Sequence, residues 1–487
     1  MTSADLLALL PFLVVGGAAV IVMLAIAFYR DYRLTVVLTG LGLAIALGTL
    51  PIVGLVVPRQ VTPLVVIDAY ALFFLGAIFA ATLAVTVLAY DYIRPRTGRR
   101  EEFYLLLLLA TFGAAVLVTS THFASFFLGL EILSVSLYAL IAYERESLLA
   151  IEAAVKYLVL AGSSSAFLLF GMALVYGELG TMEFARIATL HVAGRASLAI
   201  LGAGLALILV GIGFKLALVP FHLWTPDVYQ GASAPVAAYI ASVSKGAMFA
   251  LLLRYFKQFD PVMEPGVFAV FTLLAILSMF VGNLLALLQN NVKRLLAYSS
   301  ITHMGYLLVA LLASGPLAVD AVAFYLVTYF ITIIGAFGVV TMLSSPGREA
   351  DGWDNYVGLA WRRPWLGAVF TAMLLSLAGI PLTAGFVGKF YVLTAGVNSS
   401  LWLLAILLVI NSTIGLFYYL RVVVAIYATA PARPLGEQAA PSAARSTVAG
   451  SFTGGVVLAV LTILLVWLGV YPTPLIGIIE SMVAQIM

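Results

Sequence analysis

The 487 residues include no cysteine and only four histidines. The first absence removes thiolate-held iron–sulfur clusters, disulfides and thiol chemistry, and four scattered imidazoles are too few for a bis-histidine haem. If the chain serves a redox machine, it is not the part that carries electrons, and no cofactor or metal is expected on it. Charge is scarce as well. Only 9% of residues are charged while 64% are hydrophobic, against about a quarter charged and half apolar in soluble domains. The formal net charge of +3 sits in short polar segments and not in a basic domain, which gives nucleic-acid binding no support.

What is present is apolar sequence in long pieces. A bilayer core about 30 Å thick takes roughly 20 apolar residues per helical span. Runs of Leu, Ala, Val and Ile suit helices better than the alternation of a barrel strand. About fourteen spans are expected, near residues 5–29, 34–56, 68–92, 103–120, 122–143, 152–176, 198–222, 233–257, 267–289, 293–313, 317–343, 364–393, 401–428 and 449–471. The expected fold class is an all-α polytopic membrane protein. Met1 to Asp5 carry no basic cluster, so the first run reads as a retained helix and not a cleaved signal.

An even count puts both termini on one side. One set of loops then holds Arg30, Arg33, Arg94, Arg96, Arg99, Arg100, Arg145, Lys293, Arg294, Arg348, Arg362, Arg363, Arg421, Arg433 and Arg445. The opposite set holds Arg59, Arg186, Arg195, Arg254 and Lys257. By the positive-inside rule the richer set is cytoplasmic, which places both termini on the periplasmic side of a bacterial inner membrane.

Two spans carry similar interruptions. Gly211 to His222 include Lys215 and Pro220, and Leu377 to Lys389 include Pro381. A proline lacks the N–H and collides with the carbonyl four residues back, so both helices should break inside the membrane. The breaks fall in the seventh and twelfth spans. Five is an odd interval, so a five-span unit re-enters the membrane inverted, and matching breaks in two inverted halves point to a transporter's ion pathway. The expected organisation is three helices in 1–102, a first inverted repeat in 103–257, a second in 258–428, a flexible cytoplasmic linker in 429–448, and a last helix with a short apolar tail in 449–487, the tail lying along the outer face.

Lys215, Lys245 and Lys389 lie well inside apolar spans, as does Glu131. A charge at the bilayer centre costs at least about 2.5 to 3.5 kcal/mol, so each asks for a reason. Fixed ion pairs that pin helices are one. The other is proton transfer: burial disfavours an ammonium, a nearby carboxylate restores it, and moving one partner charge is worth on the order of 4 to 5 kcal/mol at about 1.36 kcal/mol per pKa unit. A translocated proton works against about 2.3 kcal/mol per 100 mV, so the scale suffices. Ser134 and Tyr138 share a helical face with Glu131, and Ser242 precedes Lys245 by three residues. His222 beside the first break and His303 in Ser299 to Tyr306 are either relay groups or hydrogen-bonded structural histidines. His122 and His191 fall in outer loops and receive no role. Glu152 and Lys156 suit a plain i,i+4 pair, although Lys156 is also placed to stand between Glu131 and Lys215.

Three segments carry a family resemblance. Gly211 to Val236, with Phe214-Lys215-Leu216 and Val219-Pro220-Phe221-His222-Leu223-Trp224-Thr225-Pro226-Asp227, Asn291 to Ile301, and Leu377 to Phe386 together resemble the antiporter-like membrane subunits of bacterial NADH:quinone oxidoreductase, respiratory complex I. The resemblance spans nearly the whole chain and is greatest to the subunit-N group. It implies that Glu131 and Lys215 form the charge pair of the fifth and seventh helices, that Lys245 connects at the centre, and that Lys389 ends the row on the twelfth. A lysine there departs from subunit M, and the chain ends too soon for the long lateral helix of subunit L. Ser136 and Ser233 stand where the family often has proline, which puts local helix geometry in doubt. The implied function is a non-redox proton-translocating subunit. Its implied partners are neighbouring antiporter-like and small membrane subunits, with NADH, flavin, iron–sulfur clusters and quinone held elsewhere in the complex. The competing readings are a subunit of a multi-subunit cation/proton exchanger on the same fold, and a stand-alone transporter.

Overall fold

The computed structural model describes residues 2–96, 98–192, 198–256, 265–429 and 452–485. The linker expected at 429–448 lies almost wholly outside the described residues, as do Arg195, Lys257, Arg433 and Arg445.

The chain is a helical bundle. Helices run α1 Ser3–Ala8, α2 Leu10–Phe28, α3 Tyr32–Val53, α4 Ala69–Ile93, α5 Glu102–Thr119, α6 Phe123–Ile141, α7 Leu148–Leu179, α8 Phe184–Val192 and α9 Leu198–Leu216. They continue as α10 Trp224–Gly231, α11 Ala234–Tyr239, α12 Lys245–Phe256, α13 Pro265–Leu287, α14 Val292–Leu312, α15 Pro316–Leu343 and α16 Leu359–Arg362. The last are α17 Pro364–Ala378, α18 Ala384–Asn398, α19 Trp402–Tyr427, α20 Phe452–Val470 and α21 Thr473–Ala484. Among the described residues, 13 helical segments are long and apolar enough to cross a membrane, and α17 and α21 are shorter apolar helices. One small departure from an all-helical chain is a hairpin in which β1 Arg59–Thr62 pairs antiparallel with β2 Val65–Ile67.

Both expected interruptions have a direct cause. α9 stops at Leu216 and α17 at Ala378, and the carbonyls that Pro220 and Pro381 would strike belong to Leu216 and Leu377. Each break holds a residue in the left-handed region, Ala217 at φ 59° and Leu382 at φ 71°. A third irregularity has no counterpart in the sequence pattern: a π-helical turn, Ile240–Ser244, joins α11 to α12 and ends at Lys245.

Burial grades inward. α2, α3, α7 and α20 turn much of their apolar surface outward, whereas the apolar windows of Ala234–Phe256 and Val292–Leu312 are wholly buried. Those two spans carry Lys245 and the Ser299–His303 segment, so the polar residues lie along the protected axis. Close packing near the first of the charges depends on glycine. A Cβ on Gly113 of α5 would stand 2.5 Å from the Leu133 backbone nitrogen of α6, and only a missing side chain lets those helices close beside Glu131.

Among the described residues, two basic residues assigned to loops, Arg254 and Lys293, are buried. Arg254 reaches Asp68 through two bonds of 2.8 Å, donates to the Val118 carbonyl at 3.0 Å, and lies 4.6 Å over the Tyr70 ring. The Lys293 side chain is fully enclosed and donates to the Ala232 carbonyl at 2.6 Å and to Glu349 at 2.9 Å. The segment after α15 covers it, tied down where the Val292 N–H meets the Asp351 carbonyl at 2.8 Å. His122 caps α6, its Nδ1 accepting the Ala124 N–H at 3.1 Å.

Candidate functional site

The three lysines stay inside the bundle. Their residues are 3%, 1% and 8% exposed at Lys215, Lys245 and Lys389, so none reaches the surface by extending its side chain. Among the described residues none of them forms an ion pair within 4.0 Å. Their hydrogen bonds go to neutral oxygens.

Lys215 closes α9 and projects toward α6 and α7. Its Nζ donates to Ser134 Oγ and to Tyr157 Oη, both at 3.0 Å, with the Tyr157 ring centre 5.6 Å away. Glu131 is half-buried one turn before Ser134 on α6. Its Oε1 accepts a 2.5 Å bond from Ser165, and it lies within electrostatic reach of Lys215 without touching it. The two groups named as a pair make no direct contact: Lys215 bonds Ser134 and Tyr157, while Glu131 bonds Ser165. Beyond the break, Trp224 donates its indole N–H to the Phe214 carbonyl at 2.9 Å, closing one acceptor that the interrupted helix leaves open.

Lys245 comes directly after the π turn and donates to Ser300 Oγ at 2.7 Å; Tyr229 Oη stands 3.3 Å from the same hydroxyl. A π turn admits an extra residue into the helix, which re-aims the side chains of the next turn, and such turns gather at functional sites. Next to Ser300, Ser299 shares a hydrogen bond with Tyr419, whose hydroxyl stands 3.2 Å from His303 Nε2. His303 Nδ1 meets Tyr325 Oη at 2.6 Å. His303 is buried and lies within electrostatic reach of both Lys245 and Lys389. A small cavity of about 10 Å³ opens beside it, lined by His303, Tyr329, Thr332, Ser376 and Leu377 among others, at the lower limit for holding one water.

Lys389 lies on α18, after the second break. Its Nζ donates to the Leu377 and Ala378 carbonyls at 2.9 Å each and to Ser412 Oγ at 3.0 Å.

The remaining candidates divide. His222 is buried with Nδ1 unpartnered and within electrostatic reach of Lys245. Lys156 faces elsewhere: it pairs with Glu152 at 2.6 Å and Asp227 at 2.7 Å, and its neighbour Tyr157 is the residue that touches Lys215. Asp227, outside the spans, also takes Arg294 at 2.7 Å. Its burial works to raise the carboxyl, but the bonds from Lys156 and Arg294 outweigh it and hold the group below its ordinary value. The hydroxyls of Tyr157, Ser165, Ser300, Tyr325, Ser412 and Tyr419 were not assigned roles from sequence. Serine and tyrosine are common in such spans, and no spacing along one helix picks out Ser165 or Ser412, whose charged partners Glu131 and Lys389 lie on other helices.

The transmembrane-domain model shared by NADH:quinone oxidoreductase and Mrp antiporters matches residues 120–415. NADH-quinone oxidoreductase subunit N of Ectopseudomonas mendocina is 50% identical, covering 99% of this chain and 97% of its own, and that of Nitrosospira multiformis is 52% identical, covering 98% and 96%. A chain of Thermus thermophilus respiratory complex I superposes with a TM-score of 0.79 at 32% identity, over 96% of this chain and 98% of that one. A chain of the Mrp complex from Dietzia sp. shares the fold, with a TM-score of 0.84 at 22% identity over 99% and 97%. By fold and sequence, the chain belongs to the antiporter-like membrane-subunit family of NADH:quinone oxidoreductase, in its subunit-N group.

Proposed function

We propose that this chain is the proton-translocating, non-redox membrane subunit of a respiratory NADH:quinone oxidoreductase. It couples quinone reduction elsewhere in the complex to proton movement through Glu131, Lys215, Lys245 and Lys389. The observation that carries the reading is that three enclosed lysines hold hydroxyls and carbonyls, not carboxylates, within bonding distance. A contact ion pair holds its proton firmly; an ammonium on neutral oxygens, with a carboxylate within electrostatic reach as Glu131 is of Lys215, changes proton affinity when that carboxylate changes. Ser134 and Tyr157 serve Lys215, Ser300 and Tyr229 serve Lys245, and Ser299, Tyr419, His303 and Tyr325 lead from there toward Lys389. His222 is the further candidate between the first two lysines. Lys156 belongs to the cytoplasmic rim in this reading.

The two breaks at Pro220 and Pro381 are the hinges of inverted repeats spanning 103–257 and 258–428, preceded by three helices and followed, after the linker, by the last helix. Both termini face the periplasm. NADH, flavin, iron–sulfur clusters and quinone belong to partner subunits, which include neighbouring antiporter-like and small membrane subunits.

The test is NADH-driven proton pumping in the assembled complex. Lys215→Ala and Glu131→Ala should each lower pumping more than about tenfold, since a positioned proton-transfer group contributes roughly 10²–10⁴-fold. Normal pumping in both variants removes the proposed role. Co-purification without NADH-oxidising subunits would instead favour a cation/proton exchanger, the reading that the shared Mrp fold keeps open.

A further inference from the structure

The Lys389 ammonium is held unlike the other two. Two of its three oxygen partners are carbonyls of the last turn of α17, where backbone acceptors have no helical donor and the helix dipole is negative. The third, Ser412 Oγ, comes from α19 and stands 3.4 Å from the Ala378 carbonyl. The Tyr306 ring centre lies 5.2 Å from the nitrogen. Gly379 makes the approach possible. Its φ of 84° turns the chain, and a Cβ there would stand 2.9 Å from Lys389 Cδ and 3.2 Å from Nζ. A cation facing two carbonyls of an unwound helix end, a hydroxyl and an aromatic face has the surroundings of a desolvated alkali ion, in which oxygens replace the hydration shell. Here the cation is tethered by its own side chain.

We propose that the Leu377 and Ala378 carbonyls and Ser412 Oγ form a monovalent-cation site whose resident is the Lys389 ammonium, and that this tether keeps free alkali cations out of the second half of the chain. Contacts of 2.9 to 3.0 Å set the size of the occupant. They fit an ion as large as ammonium, such as K⁺ or Rb⁺, whereas Na⁺ requires the oxygens to close in. The oxygens carry no formal charge, so a divalent ion finds no compensation. Lys215 sits on two hydroxyls and no carbonyl, so the site belongs to the second break alone.

The cradle stands on its geometry whether or not Lys389 passes protons, and a binding measurement without NADH keeps the two questions apart. With purified intact complex, equilibrium ⁸⁶Rb⁺ binding to Lys389→Met should show one saturable site more than the native complex, competed by K⁺ and absent from Lys389→Arg. Adding Ser412→Ala to Lys389→Met should weaken that binding about tenfold, as expected for loss of one of three ligands worth about 1.4 kcal/mol. If Lys389→Met does not assemble, Lys389→Ala with methylammonium as the probe tests the same cradle with room for the added methyl group. No gain in an assembled variant, a gain confined to Na⁺, or a gain indifferent to Ser412→Ala overturns the proposal.

Discussion

The two helix breaks solve one problem in different ways, and the difference sets what each lysine is free to do. Interrupting a helix strands carbonyls that cost about 1–3 kcal/mol each if left buried without a donor. At the first break the Phe214 carbonyl is satisfied by the Trp224 indole and the Ala217 amide, and the Gly213 carbonyl by the Leu218 amide. Lys215, just before the break, is released to face Ser134, Tyr157 and the field of Glu131. At the second break the lysine itself, just after the interruption, satisfies the Leu377 and Ala378 carbonyls. The first lysine is poised toward a carboxylate, the second is a cap on its own broken helix.

The largest effect that tests this contrast comes from removing hydroxyls. Ser134→Ala with Tyr157→Phe takes away both hydrogen-bond acceptors that Lys215 has among the described residues. Bonds to a charged group are worth about 1.5–3 kcal/mol, so NADH-driven pumping per NADH oxidised should fall roughly ten- to a hundredfold. Ser412→Ala removes one of three acceptors and leaves Lys389 its two carbonyls, so it should lower pumping by no more than about tenfold, a loss of about 1.4 kcal/mol. Equal damage from the two changes would erase the distinction.

A smaller effect comes from the backbone. Gly379→Ala forces a left-handed alanine against the Lys389 side chain and should destabilise the complex by about 1–2 kcal/mol, read as a lower thermal midpoint with impaired pumping. Ala217 already sits at φ 59°, so Ala217→Gly relieves strain, and its midpoint should stay level or rise slightly. A rise on Gly379→Ala would show that the second break does not depend on that close approach.

Much of this was legible because lipid makes charge expensive. Lys215, Lys245, Lys389 and Glu131 stand out in apolar runs, and Pro220 and Pro381 announce helix ends a turn upstream, where the ring would clash. Ser134 apart, the hydroxyl partners were not legible, since serine and tyrosine cost little in a helix and Ser165 or Tyr419 acquires meaning only from what the fold brings opposite. The π turn before Lys245 has no residue signature in Ile240–Ser244. Lys293 and Arg254 read as loop cations because hydropathy sees the chain locally, and it takes Glu349 from a distant segment and Asp68 at the start of α4 to bury them. Lys156 was ambiguous for the opposite reason: one residue along the helix separates the rim from the lysine partner, and periodicity alone does not say which of Lys156 and Tyr157 points inward.

The smallest effect lies at the rim, where the two breaks differ again. The first break leads into α10, whose Asp227 joins Lys156 of α7 to Arg294 of α14 and so ties those three helices together. Among the described residues the second break has no such carboxylate latch. Because bonds from Lys156 and Arg294 hold Asp227 below its ordinary value against the effect of burial, the latch contributes fully above the ordinary carboxylate range, near about pH 4, and is lost as pH falls through the lower folded value. Amide exchange in α10 should therefore be slow and pH-independent, relative to its intrinsic rate, down to about pH 4 and then accelerate. Asp227→Asn should show the accelerated exchange already at neutral pH with no further step on acidification. A variant that tracks the native profile across the whole range would mean that α10 is held by Trp224 and Tyr229 from within, and that the charges at the rim merely solvate it.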